Sequence, residues 1–209
     1  MISCYLCGLE ISEDRTADHV PALTFYPPSL RTEFNFDKLL TVPAHQSCNK
    51  SHERDEEYFK WALARIASGS VSGDARIRDN IRRVARGESV GLARKTLQEF
   101  EERPSGLYLP SHLVLKRVDG QRILRVAWKI VRGLYFNDKL SILPEATFFT
   151  VELVEPCVAA ERSTNPLWEE VKAQPSRGPY PWVFDYKYIG MAMDDRMLHC
   201  WAMLFWDRI

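Results

Sequence analysis

Four potential metal ligands lie near the start of the chain in two pairs, and each pair has a two-residue gap. Cys4 and Cys7 form the first pair, and His45 and Cys48 form the second, about 40 residues further on. A two-residue gap allows both side chains of a tight turn to point at one ion, and tetrahedral zinc takes thiolate and imidazole ligands in such pairs. The spacing therefore predicts one structural zinc site. Reduced cysteines with a chance histidine are the alternative, and His52, one helical turn beyond Cys48, is a competing fourth ligand.

A zinc ion with four protein ligands has no open coordination position for water, so this site would stabilise structure and perform no chemistry. The chain has few large apolar residues before Leu23, too few for this small lobe to form a core of its own. Metal binding would then contribute folding free energy directly.

An Asp-His pair, Asp18-His19, lies between the two ligand pairs and is followed by Val20-Pro21. Alone, such a pair is typical of a surface turn. In this placement it resembles the HNH (His-Asn-His) nucleases of the ββα-metal type, in their zinc-stapled subgroup. Their pattern is a Cys-x2-Cys knuckle, an Asp-His-Val/Ile-x-Pro segment or a near variant, and a second ligand pair followed directly by Asn or His opening a helix. Here Asn49 follows the second pair, and the resemblance covers roughly the first 60 residues.

The resemblance implies a metal-dependent endonuclease that hydrolyses phosphodiester bonds in nucleic acid, with DNA the expected substrate. His19 would be the general base, because the unperturbed pKa of histidine lies near working pH. Asp18 and Asn49 would hold Mg²⁺ or Mn²⁺, which acts as a Lewis acid. Alternatively, Asn49 caps the helix with its amide, and His52 is an exposed helical residue or contacts phosphate.

The sequence departs from the family pattern at two places. His45 stands where the family usually has Cys, which zinc tolerates. The middle Asn is missing, because the residues before the second pair read Phe-Asp-Lys-Leu-Leu at 36–40 and Asn35 lies a few residues too early. The missing Asn favours a competing function, a zinc-bound nucleic-acid- or protein-binding module that has kept the fold and lost catalytic activity.

Composition sets further bounds. The chain has 209 residues and a formal net charge of zero, which argues against a general nucleic-acid coat protein. It has no apolar N-terminal run resembling a signal peptide and no span of 18 apolar residues, so we expect a soluble cytoplasmic protein with no membrane partner.

Positive charge is concentrated in residues 76–95, which carry a local charge of +5. A basic stretch beside a nuclease-like site is able to bind phosphate groups, and such binding weakens as salt concentration rises. A solvated helix face, offset by the acidic C-terminal half, is the alternative. The residues expected to contact nucleic acid are Arg76, Arg78, Arg82, Arg83 and Arg86.

Hydrophobic periodicity predicts an α+β fold in three segments. The resemblance implies that residues 1–68 form the zinc-bound ββα-metal lobe with a treble-clef-like shape, and the prolines indicate a strand pair before its helix. Residues 69–104 would form a basic helical connector that starts with a linker at 68–73, and residues 105–209 a mixed α+β region of unknown role. The predicted helices are 47–68, 74–86, 90–102, 121–136 and 166–173, and the predicted strands are 113–118, 147–154, 182–188 and 198–206, the last two as an antiparallel pair.

The C-terminal half contains no comparable motif. His199 and Cys200 are neighbours on a predicted strand, so they face opposite ways and the imidazole cannot activate the thiol. Cys157 and Cys200 are expected to be buried thiols, which leaves a thiol hydrolase as a third and poorly supported reading. Asp194-Asp195 is expected to form an acidic turn.

Overall fold

The computed structural model describes residues 2–101, 114–144, 147, 149–152, 166–193 and 196–209. Helices and three two-stranded antiparallel sheets make up this part of the chain, which confirms the α+β class. No helix in the described ranges is long and apolar enough to cross a membrane. The elements in chain order are β1 Arg15–His19, α1 Pro28–Phe34, β2 Thr41–His45, α2 Gln46–Lys50, α3 Glu53–Ala64, α4 Val71–Ala85, α5 Val90–Gln98, β3 Phe100–Glu101, β4 Leu115–Lys116, α6 Gly120–Lys139, α7 Pro166–Lys172, β5 Phe184–Met193 and β6 Arg196–Phe205.

The N-terminal lobe is built on the β1–β2 pair, whose antiparallel register places Arg15 opposite His45. The connection between these strands contains α1, which has a proline at its first position, where a missing backbone N–H costs nothing. Asn35 ends α1 in a left-handed conformation, with φ 48°. This is a common conformation after the last residue of a helix, so Asn35 acts here as a helix terminator.

The predicted helix at 47–68 is two helices, α2 and α3, separated by a short turn. The Ser51 hydroxyl donates to the Cys48 carbonyl at 2.7 Å, a local bond that competes with helical hydrogen bonding. Asp14 fixes the start of α2, because its carboxylate accepts from both the backbone N–H and the hydroxyl of Ser47. The chain therefore enters α2 directly from the end of β2.

The predicted linker at 68–73 is wrong, because α4 already begins at Val71. Ser70 is its N-cap and accepts a hydrogen bond from the Gly73 N–H at 2.9 Å. A Cβ at Gly73 would lie 1.9 Å from the Ala67 carbonyl oxygen, so only glycine fits where the turn meets the helix.

Helix α6 joins the C-terminal half to the lobe. Asp119 caps it, and its apolar face packs against α3 and β2. A Cβ at Gly133 would lie 2.5 Å from a Val20 methyl group, so the helix backbone approaches the lobe closely at this point.

The C-terminal strand pair is confirmed and is longer than predicted, since β5 and β6 pair over ten residues each. The strand predicted at 147–154 is not found: its described residues, 147 and 149–152, lie in no strand, and Thr147 closes a turn onto the Pro144 carbonyl. The other residues of that stretch, Cys157 and Asp194-Asp195 lie outside the described ranges. The strand predicted at 113–118 shortens to β4 within the described residues.

Aromatic rings from distant parts of the chain meet in one core. Phe25 stacks on Phe59 with ring centroids 5.1 Å apart, and both contact Phe205 and Trp206. The Trp206 indole N–H donates to the Phe25 carbonyl at 2.9 Å. The last residues of the chain thus pack against the lobe. The division of the chain into three segments at residues 68 and 104 stays a prediction.

Candidate metal centre and the adjoining lysine cluster

The four predicted zinc ligands come together. One ligand atom from each of Cys4, Cys7, His45 and Cys48 lies within 4.8 Å of all the others, and Cys7 Sγ is 3.3 Å from His45 Nδ1. Bond lengths of about 2.3 Å to sulfur and about 2.0 Å to nitrogen place the ligands of a tetrahedral zinc ion slightly closer than this outer limit. The donor set therefore fits a zinc ion, and we call these four residues the zinc cluster.

Three short segments position the zinc cluster. Cys4 and Cys7 lie in a tight turn closed by the Gly8 N–H on the Cys4 carbonyl at 2.8 Å. His45 is the last residue of β2, and Cys48 lies in α2. The His45 Nε2 bonds to the Glu10 carbonyl at 3.1 Å, which assigns the proton to Nε2 and leaves Nδ1 facing the thiols. Such outer hydrogen bonds fix the tautomer of metal-binding histidines.

The pKa values of two thiols in the zinc cluster are shifted in opposite directions. Burial raises the pKa of Cys4, but hydrogen bonds from the backbone of His45, Cys7 and Leu6 outweigh it and lower the pKa to about 7. Burial and the neighbouring thiols raise the pKa of Cys48 to about 12. Near neutral pH, Cys4 therefore loses its proton first.

His52 lies outside the zinc cluster, in the turn between α2 and α3. Burial lowers the pKa of His52, and the positive charge of Lys129 lowers it further. Its buried Nδ1 has no hydrogen-bond partner within the described residues. The structure thus places His45 among the ligands and His52 beside a different group of charges.

That second group forms around Lys129, which reaches the lobe from α6. Its ammonium lies 3.0 Å from Asp18 Oδ2 and 2.9 Å from Asn49 Oδ1, and it also pairs with Glu56. Lys129 is only 2% exposed and Asp18 only 3%. The structure therefore brings the Asp18 and Asn49 oxygens together, but on the Lys129 ammonium, whereas the sequence predicted a divalent metal ion between them. We call Lys129, Asp18, Asn49 and Glu56 the lysine cluster.

The carboxylates of the lysine cluster interact with further neighbouring groups. The buried Tyr5 hydroxyl donates to Asp18 Oδ2 at 2.7 Å, and burial together with the Asp18 charge raises the pKa of Tyr5 well above its usual value. Burial also raises the pKa of Glu56, although the Lys129 ammonium acts in the opposite direction. Two carboxylates thus share one ammonium in a site with little water.

The oxygen donors of the lysine cluster fit a hard divalent cation chemically, because Mg²⁺ prefers carboxylate and amide oxygens. The position between Asp18 and Asn49, however, is held by the Lys129 ammonium. A divalent cation would have to take this position over from the lysine, which would keep Glu56 as its partner.

His19 lies beside Asp18 on β1 and is half-buried. Adjacent strand residues point to opposite faces, so the imidazole faces away from Lys129. Burial lowers the pKa of His19; Asp18 opposes this shift, and Arg31 reinforces it. The lowered pKa keeps the imidazole neutral near pH 7. Within the described residues His19 has no hydrogen-bond partner, so its ring nitrogen is free to accept a proton.

Known proteins offer no match. The chain matches no protein-family model, no curated protein and no solved structure. The resemblance to HNH nucleases therefore rests on the motif residues alone.

The predicted phosphate-binding arginines do not form one exposed surface. Arg76 is only 3% exposed and donates to the Thr24 carbonyl at 2.7 Å, so its side chain does not lie on an open helix face. Arg82, Arg83 and Arg86 each pair with a carboxylate, and Arg78 is exposed on the same helix.

Sequence reasoning missed Lys129 and the partners of the acids at the start of α3. Asp55, in the first turn of α3, pairs with Arg122 and Arg125 of α6. A signal for Lys129 was present: it lies three residues after the buried Val126 and so falls on the apolar face of its own helix. A lysine on such a face needs a buried acidic partner.

In the C-terminal hairpin, His199 and Cys200 form no nucleophilic pair. The His199 Nδ1 is hydrogen-bonded to the Tyr188 hydroxyl at 2.8 Å. Burial raises the pKa of Cys200, which favours the unreactive thiol.

Proposed function

We propose that this chain is a metal-dependent HNH-type endonuclease that hydrolyses phosphodiester bonds, with DNA as its substrate. The single observation that carries the proposal is the meeting of the Asp18 and Asn49 oxygens at one cation position, with His19 next to Asp18 on the opposite face of β1. The order of β1, β2 and α2, with the zinc cluster at the junction of β2 and α2, supports a ββα-metal lobe of the treble-clef type.

Asp18 and Asn49 would hold the Mg²⁺ or Mn²⁺ ion, which relieves negative charge on the phosphate when bound. His19 accepts the proton of the attacking water, because its lowered pKa keeps the imidazole neutral near pH 7. With such an ion bound, Lys129 would keep Glu56 as its partner. The zinc cluster holds the end of β2 against α2 and so fixes Asn49 relative to β1.

Cleavage of a supercoiled plasmid tests this proposal. Zinc-loaded full-length protein is incubated with Mg²⁺ or Mn²⁺, and nicked and linear products are quantified. We expect His19→Ala to slow cleavage by about 10²- to 10⁴-fold, the usual contribution of a general base. His199→Ala is the matched control, since His199 lies in the C-terminal hairpin, and it should leave the rate within twofold. Equal rates for wild type and His19→Ala would overturn the assignment.

A zinc-bound nucleic-acid-binding module without catalytic activity is the second candidate. The observation that favours it is the Lys129 ammonium, which already neutralises the cation position. This function predicts that wild type and His19→Ala both bind DNA and that neither cleaves it at any Mg²⁺ or Mn²⁺ concentration.

A further inference from the structure

A basic cavity of about 500 Å³ lies between α1 and the C-terminal half of α4. Its size falls within the range of small-molecule sites in proteins, about 300–1,000 Å³. None of its lining residues belongs to the zinc cluster or the lysine cluster. Six cationic side chains line it: Arg31, Lys60, Arg76, Arg82, Arg83 and Arg86.

The positive charge of the cavity is only partly compensated. Glu57 pairs with Lys60 and Arg83, and Glu88 pairs with Arg83 and Arg86. Asp79 pairs with Arg82 at 3.3 Å. Within the described residues, three carboxylates thus face six cations, which leaves an excess of three positive charges.

Two of the arginines have donors that no protein group uses. Arg76 is 3% exposed, and its buried Nε has no hydrogen-bond partner among the described residues. The Nε of Arg31 is buried and unpartnered as well, and Arg31 forms no ion pair within the described chain. Leaving a buried donor unpaired costs about 1–3 kcal/mol, more when it is charged. An anion in the cavity would remove this cost.

Phosphate is the anion that these groups fit best. Guanidinium groups bind phosphate oxygens through two parallel hydrogen bonds. A terminal phosphate carries a charge of about −1.5 to −2 at neutral pH, which matches the excess better than a single carboxylate does. The Ser29 and Thr32 hydroxyls also line the cavity and add neutral donors. A double helix, whose major groove alone is about 12 Å wide, is too large to enter a cavity of this size.

We propose that this cavity binds a terminal phosphate group, carried by a mononucleotide or by the end of a nucleic-acid strand. The inference does not depend on cleavage, because none of the cavity residues is His19, Asp18 or Asn49; Arg31 acts on His19 through its charge only. The predicted contact between the basic stretch and nucleic acid is thereby reduced from an extended surface to a single phosphate group in this open cavity.

Calorimetric titration of zinc-loaded full-length protein tests the proposal. The ligands are inorganic phosphate, a 5′-mononucleotide, a single-stranded oligonucleotide with a 5′-phosphate, and the same oligonucleotide with a 5′-hydroxyl. We expect the 5′-phosphate to strengthen oligonucleotide binding at least tenfold, and this gain to shrink as salt rises. A mononucleotide that binds as tightly as the phosphorylated strand identifies a free nucleotide as the ligand; tighter binding of the strand identifies a strand end.

Arg31→Gln is the decisive variant, because it removes an unpaired donor without breaking an ion pair. We expect it to abolish the tenfold gain from the 5′-phosphate. Arg94→Gln is the matched control, since Arg94 is exposed on α5 and lies outside the cavity, and it should change the affinity less than twofold. If Arg31→Gln fails to fold, Arg86→Gln replaces it, because the Arg86 side chain is 65% exposed. Equal binding of the phosphorylated and hydroxyl-ended strands, or no effect of either cavity variant, overturns the proposal whatever the outcome of the plasmid assay.

Discussion

The zinc cluster and the lysine cluster lie in the same lobe but satisfy their negative charge in different ways. The zinc cluster combines thiols with one imidazole and contains no cationic side chain. The lysine cluster combines carboxylate and amide oxygens around an ammonium that comes from α6, 80 residues beyond Asn49. A site without its own cation depends on an ion from solution, whereas a site with one has most of its negative charge compensated when the chain folds. The two clusters should therefore respond differently to metals and to mutation.

The largest effect should come from removing a ligand of the zinc cluster. We expect Cys48→Ser to abolish stoichiometric zinc binding and to destabilise the protein by roughly 5 kcal/mol or more, because structural zinc contributes about 10 kcal/mol or more to the folding of small metal-dependent units. Elemental analysis and urea unfolding measure the two quantities. Cys200→Ser is the control, since this half-buried thiol is outside the cluster. Full stability of a zinc-free wild type would contradict the structural role.

Removing the internal cation should have the next largest effect. Lys129→Met leaves Asp18 and Glu56 buried without their counter-charge, and breaking such an ion pair from one side costs about 3–5 kcal/mol. Lys139→Met, on the exposed last turn of the same helix, should cost less than about 1 kcal/mol. Urea unfolding at pH 7 compares them, and similar costs for the two variants would show that the lysine cluster contributes little.

Divalent cations should stabilise the Lys129→Met variant more than they stabilise wild type. In Lys129→Met the oxygens of Asp18, Asn49 and Glu56 lose their cation, so Mg²⁺ or Mn²⁺ should stabilise this variant by about 2.7 kcal/mol at a concentration 100 times its dissociation constant. The stabilisation should be smaller in wild type, where the lysine competes. Melting temperatures with and without MgCl₂ or MnCl₂ measure this difference. Adding Asp18→Asn to the variant should remove the stabilisation; its persistence would place the ion elsewhere.

Tyr5 connects the two clusters, because it follows Cys4 in sequence and donates to Asp18. Tyr5→Phe should destabilise the protein by about 1.5–3 kcal/mol, the usual contribution of a hydrogen bond to a charged group. Zinc content should stay unchanged, which elemental analysis checks. Loss of zinc in this variant would show that the clusters are not independent.

The smallest expected effect is on pH dependence. Burial and Lys129 lower the folded-state pKa of His52 below the unfolded value of about 6.5. The unfolded state therefore binds more protons, so stability is complete above about pH 6.5 and falls as pH drops through the folded-state pKa, by less than about 1.4 kcal/mol per pH unit for one group. His52→Gln should flatten the decline between pH 7 and 5 without abolishing it, since burial lowers the pKa of His19 and His199 too. An unchanged slope in urea unfolding would contradict this.

The sequence was sufficient to predict the zinc cluster, because its ligands are paired at short spacings that a single turn can satisfy. The sequence also predicted that Asp18 and Asn49 share a cation, but it assigned that cation to a divalent metal ion and not to a lysine. The position of Lys129 on the apolar face of α6 can be inferred from its spacing, whereas its partners cannot. They are set by the packing of α6 on α3 and β2, and periodicity predicts that a helix has an apolar face without showing what the face covers.

Local hydrogen bonds and residue composition explain the remaining errors in the predicted helices and strands. The break after α2 depends on one Ser51 hydroxyl, and the early start of α4 depends on the Ser70 cap, which the sequence Ser-Val-Ser-Gly at 70–73 conceals within an apparent linker. The strand predicted at 147–154 rested on β-branched and aromatic residues alone. Such composition describes residues that fit a half-buried sheet, and it does not supply a partner strand.

Because Lys129 belongs to α6, a fragment of the N-terminal lobe alone lacks it. A fragment cut at residue 68 would contain every zinc ligand and every proposed catalytic residue, yet two buried acids would lose their only ammonium among the described residues. Such a fragment would leave these acids with water, a proton or a divalent ion as their partners. Transplanting the lobe into another protein would therefore change the metal requirement of the site itself.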